Sequence, residues 1–309
     1  MRILFAEILE VRELQPNSKN TYFGCYDSFD KYCKSIGESV ETINRNKIIS
    51  YLAGIKSEST KIQAISVIKM IYRYCIHKPE KIANLPKVKK HFHVVDYLTT
   101  KEVNDIINIT KNRKHKLMLR IQYLLALRVS ELCKIRKKDF VKSWDGNTQQ
   151  YVHDLRITGK GGETYKIPVP VDLIREIRAV YLKFSDTEKD SEYLFRGQFK
   201  SYYSSKSVQM IVSRALKALS IEKEGKHTTH LLRISRGTHL ILAGVDISFV
   251  QKLLRHRKIE TTQRYYNGVN QNDLRVVFSN ADNFLKESLV NEMLLSEKNS
   301  FKQGKISNQ

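Results

Sequence analysis

The chain has 309 residues, 41% of them hydrophobic, and 54 Lys and Arg against 32 Asp and Glu give a formal net charge of +22. Length and apolar content exclude a disordered polymer and leave room for two domains with cores of their own. So large a positive excess is more than solubility needs and suits a polyanionic partner, most simply DNA or RNA. The start, Met1 to Ala6, is briefly apolar but soon meets Glu7, Glu10, Arg12 and Glu13, unlike a secretory leader. No apolar run approaches the roughly 20 residues that span a bilayer, so no membrane partner is expected. Cys25, Cys33, Cys75 and Cys133 are scattered without a CxxC pair. They are expected to be small buried hydrophobes in a reducing compartment, the cytoplasm, rather than a zinc or disulfide framework.

Residues 18–77 or so read as helical. Tyr22, Tyr26, Phe29 and Cys33 form one apolar stripe, Ile48, Ile49, Leu52 and Ile55 a second, and Ile62, Ile65, Ile68, Tyr72 and Cys75 a third. This predicts a small basic helical domain over 1–80. Pro79 and Pro86 then interrupt helix, and Lys87, Lys89 and Lys90 crowd a basic linker over 81–96.

A second domain, 97–280, opens with the capping-box pattern Thr99-Thr100-Lys101-Glu102. A long apolar helix is expected from Leu117 to Ile135. The period then changes. Trp144-Asp145-Gly146-Asn147 signals a hairpin turn, and alternation at Tyr151, His153, Leu155, Ile157 and at Tyr165, Ile167, Val169 predicts a small antiparallel sheet of about three strands. Helical spacing returns at Ile174, Ile177, Tyr181, Phe184 and at Val208, Val212, Ala215, Leu219. Gly244-Val245-Asp246 marks a helix stop and restart. Leu285, Leu289 and Met293 suggest a helix within a C-terminal segment, 281–309. The fold class expected is mainly α with a small antiparallel β-sheet, α+β.

Certain residues in this frame carry chemistry. Arg128 stands among Leu124, Leu125, Leu127 and Leu132, where a charge needs a partner; Glu131, three residues on, is one choice. Lys160 sits between glycines at a hairpin tip, either solvated or free to reach across a groove. His230 and Arg233 share a helical face, and His256 and Tyr265 follow beyond the helix restart. Together they offer proton carriers, guanidinium groups and a hydroxyl nucleophile, the parts of a metal-free phosphoryl-transfer site.

The joint pattern resembles the tyrosine recombinase family of phage integrases and Xer-type proteins, from Leu98 to about Val269. It rests on Ala126-Leu127-Arg128-Val129-Ser130-Glu131-Leu132, Gly159-Lys160-Gly161, His230-Leu231-Leu232-Arg233, Gln251 to His256, and Thr261-Thr262-Gln263-Arg264-Tyr265, in that order. The resemblance implies a core-binding and a catalytic domain clamped about double-stranded DNA. It also implies a synaptic tetramer acting at specific recombination sites, and strand exchange through a 3′-phosphotyrosine and a Holliday junction. Tyr265 would be the nucleophile, chosen over Tyr266 by its offset from His256. Arg128 and Arg233 would hold the phosphate, Lys160 would protonate the leaving 5′-oxygen, and His230 would handle the tyrosine proton or touch the phosphate. His256 would donate to a phosphate oxygen, and Glu131 would orient a neighbouring cation. No cofactor or metal is implied; accessory DNA-bending or directionality proteins and a nucleoid location are. The segment about Leu285 would dock on a neighbouring protomer or pack on its own domain. Ile234, Arg255 and Ala126 depart from the common His, Gly and Gly of the family; Arg255 is expected in solvent. Two other readings stand beside a recombinase. One is a type IB topoisomerase-like nicking-closing enzyme, the other a DNA-binding protein whose site is silent.

Overall fold

Helices with one apolar stripe build the first of two compact bodies, which runs from Met1 to His93. The computed structural model describes residues 1–14, 16–86, 88, 96–159, 162–198, 201–223 and 228–265. Helix α1, Arg2–Val11, lies ahead of the predicted helical region; Phe5 and Leu9, four apart and buried, anchor it. Two anchors in ten residues make too short a stripe to stand out beside Glu7 and Glu10. Helix α2, Pro16–Ser35, buries Tyr26, Phe29 and Cys33. Helix α3, Arg45–Gly54, is capped by Asn44, and α4, Glu58–Met70, by Ser57. Each cap supplies an acceptor for an N–H that the first helical turn leaves unpaired. Helix α4 runs into a π-helical turn, Ile71–Cys75, and a 3₁₀ turn, Pro79–Ile82, follows. Tyr72 is fully buried there, and its hydroxyl donates to the Val40 carbonyl at 2.7 Å, so its polar tip is satisfied. Ile82 and Leu85 complete this core.

The second body begins at Val94. Helix α5, Thr100–Ile109, starts with the predicted capping box: the Thr99 side chain accepts from Glu102 N, and the Glu102 carboxylate accepts from Thr99 N. Helix α6, Arg113–Leu124, ends eleven residues before the expected Ile135. Ala126 takes a left-handed conformation at φ 47°, Arg128 is extended, and a separate short helix α7 covers Val129–Cys133. The periodicity hid this break because Leu125, Leu127 and Leu132 are buried on both sides of it. Three antiparallel strands follow in the order β1 (Phe140–Asp145), β2 (Gln150–Thr158), β3 (Thr164–Pro168). In β2, Leu155 and Ile157 point inward and Arg156 and Thr158 outward, as a strand's period of two requires.

Helices α8 (Val171–Tyr181), α9 (Asp186–Lys189), α10 (Ser205–Ala218), α11 (Thr228–Leu242), α12 (Ile247–Leu254) and α13 (Ile259–Gln263) complete the described chain. Gly244 at φ 80° stops α11, and the Asp246 side chain, accepting from Ser248 N at 2.8 Å, restarts the chain as α12. One core joins α6, α7, the inner sheet face and α8, and a second joins α5, α10 and α11. Each fully buried Leu or Ile contributes roughly 1.5–3 kcal/mol to this packing. Ser235, buried on α11, accepts the Leu98 N–H at 2.9 Å and so fixes the start of the body to its central helix. The mainly helical fold with a three-stranded antiparallel sheet is the one expected. Cys33, Cys75 and Cys133 are buried and Cys25 partly so. The C-terminal segment around Leu285 lies outside the described residues.

Candidate active site

Glu131 is the centre about which the basic groups gather. It sits in the third position of α7, where its Oε2 accepts the Arg128 N–H at 2.7 Å and caps the helix. Its Oε1 takes the Arg128 guanidinium at 2.7 Å, and its Oε2 also takes the Arg255 guanidinium at 2.6 Å. Arg233 Nη1 is 3.9 Å from the same oxygen. The Arg128 side chain is thus paired at i+3, as one sequence reading had it. It keeps 34% of its surface exposed, whereas Arg233 and Arg255 keep 3% and 2%, so Arg128 offers the open face of the cluster.

Arg233 is held by backbone. Its Nη1 donates to the Ala126 carbonyl at 2.7 Å and its Nη2 to the Leu254 carbonyl. Burial first, then the like charges of Arg128 and Arg255, bring its pKa down to about 10, still charged at neutral pH. Burial works to raise the Glu131 carboxyl; the Arg255 charge and the bonds from Arg128 overcome it and leave Glu131 below its ordinary value. Three guanidinium groups thus surround one ionised carboxylate. The surplus of two positive charges suits a phosphate that gains negative charge as it reacts.

The expected solvent position of Arg255 is corrected by this geometry. A carboxylate with 7% of its side chain exposed needs several donors, and Arg255 is one of them. It is also the C-cap of α12 in a left-handed conformation, φ 51°, ψ 47°. Ala126 and Arg255 therefore both occupy left-handed backbone, at about 1–2 kcal/mol each for a residue with a Cβ.

His256 follows directly. Its Nδ1 is 3.0 Å from the Thr262 hydroxyl on α13. Burial, then Arg233, Arg128 and Arg255, lower its pKa to about 4, so the ring is neutral at pH 7. In the tautomer where Nδ1 accepts from Thr262, the neutral ring carries its proton on Nε2.

Tyr265 closes the site. It is 7% exposed, and its ring meets His256 edge-on at 5.9 Å. Burial raises its pKa, while the charge of Arg233 and a hydrogen bond from it pull the other way. The net rise keeps the phenol protonated at neutral pH, so attack requires an acceptor for its proton. The ring lies close against α11 at Gly237: a Cβ built there would come within 2.5 Å of Tyr265 Cε2 and 3.0 Å of Leu254 Cδ1. Gly237 and Thr262 were not singled out from sequence. A glycine in a helix interior, where it is normally unfavourable, was the signal available for the first.

His230 stands one turn before Arg233 on α11 and is exposed. Lys160 and Tyr266 lie outside the described residues. The strands that flank Lys160 nonetheless border the cluster. Tyr165 on β3 hydrogen-bonds Glu163, which raises its pKa, and feels the opposing charges of Arg128 and Arg255. Gly162 adopts φ 84° in that hairpin, a conformation glycine takes without strain.

Residues 96–272 match the Phage integrase family. The chain is 31% identical over 272 residues to tyrosine recombinase XerA of Pyrococcus horikoshii, covering 85% of this chain and 88% of the relative. Among solved structures, XerH site-specific recombinase bound to a palindromic difH substrate superposes with a TM-score of 0.66 at 18% identity, over 80% of this chain and 75% of the other. A lambda integrase dimer bound to a COC′ core site does so with a TM-score of 0.67 at 19% identity, over 86% and 93%. At these identities the superpositions speak to the fold.

Proposed function

The chain belongs to the Phage integrase family and is a tyrosine-type DNA strand transferase, and on that premise we propose which of its groups perform the reaction. Tyr265 Oη attacks the scissile phosphorus, the bond from phosphorus to the 5′-oxygen breaks, and a 3′-phosphotyrosine holds the strand. Arg128 and Arg233 bear on the non-bridging oxygens, and His256 donates to one of them through Nε2. His230 takes the tyrosine proton or touches the phosphate, and Lys160 gives a proton to the departing 5′-oxygen. Glu131 orients the guanidinium groups. Attack by the 5′-hydroxyl of a second duplex reverses the chemistry on a new partner, and two such exchanges pass through a Holliday junction.

The observation that carries this reading is the convergence of Arg128, Arg233, His256 and Tyr265, drawn from three separate stretches of chain, with both arginines beside the buried Glu131. Likeness to a tyrosine recombinase over most of both chains favours strand exchange above simple nicking and closing. Competent groups at the described positions disfavour a silent binding protein. Residues 1–80 would then serve as the core-binding domain, 81–96 as a basic linker, 97–280 as the catalytic domain and 281–309 as the segment that docks on a neighbouring protomer. The two domains would clamp the duplex, and four protomers would form the synapse, as in the lambda integrase tetramer solved on a Holliday junction. A net charge of +22 makes strong salt dependence of DNA binding the expectation.

The test is a nicked duplex carrying the protein's own site, recovered by sequencing DNA bound to the Tyr265→Phe protein. Covalent adduct from the unaltered protein and from Tyr266→Phe, absent in Tyr265→Phe, is expected. Adduct that survives Tyr265→Phe and disappears in Tyr266→Phe transfers the nucleophile to the neighbouring residue.

A further inference from the structure

The reaction assigned above leaves the third arginine of the cluster, Arg255, without a role. We propose that Arg255 is a positioning residue for strand cleavage: it neutralises Glu131, so that Arg128 and Arg233 keep their charge for the scissile phosphate. The proposal rests on the reading that those two arginines bind that phosphate.

Glu131 has two oxygens and three guanidinium neighbours. Arg255 takes Oε2 at 2.6 Å, Arg128 takes Oε1 at 2.7 Å, and Arg233 stands 3.9 Å from Oε2. Residue 255 also holds Arg128 from the other side, because its own carbonyl accepts Arg128 Nη2 at 3.1 Å. The remaining Arg255 contacts point inward: Nη1 donates to the Leu253 carbonyl at 2.7 Å and Nη2 to the Ala126 carbonyl at 3.3 Å. With 2% of its side chain exposed, Arg255 lies within the cluster rather than on its open face, so it acts through Glu131 rather than on DNA. Two unfavourable features are retained to keep it there: a left-handed backbone, and a buried Nε with no acceptor among the described residues.

A glycine at 255 would satisfy the backbone and leave the Glu131 charge to Arg128 and Arg233 alone. The surplus positive charge of the cluster would fall from two to one, just where the transition state adds negative charge. Glu131 would also be free to turn towards Arg233 and draw it from its carbonyl anchors.

The experiment compares single-turnover adduct formation on the nicked duplex, at saturating protein, for the unaltered chain, Arg255→Gly, Arg255→Lys, Glu131→Gln and the double variant Arg255→Gly/Glu131→Gln. Arg255→Gly should cleave about 10–100-fold more slowly while its Kd for the duplex changes by less than about threefold. Arg255→Lys should recover most of that loss. Glu131→Gln should slow the unaltered protein yet speed the Arg255→Gly protein, a reversal of sign that loss of packing alone does not produce. Unaltered cleavage in Arg255→Gly, or a double variant slower than Arg255→Gly, overturns the proposal. If Arg255→Gly melts below the assay temperature, Arg255→Met, neutral with a similar apolar stem, carries the same comparison. Tyr265→Phe run alongside separates the two readings: adduct persisting there removes the assigned nucleophile, whereas the Arg255 series still reports whether Glu131 must be neutralised.

Discussion

Gly237→Ala isolates the placement of the nucleophile from every charge in the site. The added methyl would sit 2.5 Å from Tyr265 Cε2 and 2.7 Å from Cδ2, while ordinary contact begins near 3.4 Å. The ring must therefore retreat by roughly 1 Å, and a misplacement of about that size at a reacting centre costs on the order of 10²-fold in rate. That corresponds to about 2.7 kcal/mol of barrier. The effect on stability is smaller because two contributions oppose each other. Alanine favours a helix interior over glycine by about 0.5–1 kcal/mol, and overpacking costs about 1–3 kcal/mol. Single-turnover adduct formation should thus fall about a hundredfold, with a duplex Kd near that of the unaltered protein and a modest change in Tm. Cleavage at the unaltered rate would refute the claim that α11 positions the ring. A rate loss matched by an equal loss of DNA binding would refute it too, by pointing to a distorted body instead of a displaced tyrosine.

Other outcomes follow from single contacts. The fold depresses His256 from 6.5 to about 4, so below pH 6.5 the unfolded chain takes up a proton that the folded chain refuses. The stability this contributes above pH 6.5 is lost as pH falls towards 4, by at most ~3 kcal/mol; urea midpoints measured across that range should lose the corresponding slope in His256→Gln, and an identical slope counts against the depressed value. Lys160→Ala should slow cleavage of an ordinary duplex by about 10²–10⁴-fold. It should leave near-normal cleavage of a duplex with sulfur in place of the scissile 5′-oxygen, since a thiolate departs without a proton; equal slowing on both substrates removes Lys160 as the acid. Ser235→Ala strands the buried Leu98 N–H and should cost about 1–3 kcal/mol in urea unfolding, with a value near zero showing that another acceptor replaces the hydroxyl.

Sequence and structure agree most where a residue's chemistry is rare for its surroundings. Arg128 among leucines, His230 and Arg233 on one helical face, and His256 before Tyr265 are conspicuous because charge and apolar pattern conflict there. The sheet was legible because Leu155, Ile157 and Ile167 alternate cleanly. What stayed hidden depends on direction rather than composition. The break after Leu124 leaves no mark, since the leucines on either side are buried whether or not the helix continues. Arg255 reads as a surface arginine because its partner, Glu131, lies 124 residues away. Gly237 is one of 13 glycines, and nothing local distinguishes it until the Tyr265 ring arrives against it.

The carbonyl oxygens that anchor the site arginines have a consequence for how the site withstands change. Ala126 O receives both Arg233 and Arg255, Leu254 O receives Arg233, and the Arg255 carbonyl receives Arg128. A carbonyl belongs to every amino acid, so no substitution at 126, 254 or 255 deletes an acceptor; it does so only by moving the chain. The specification for holding three cations in place is thus written in the path of two tight bends. At those bends Ala126 and Arg255 carry the cost of left-handed backbone, and the path held there keeps the acceptors in place.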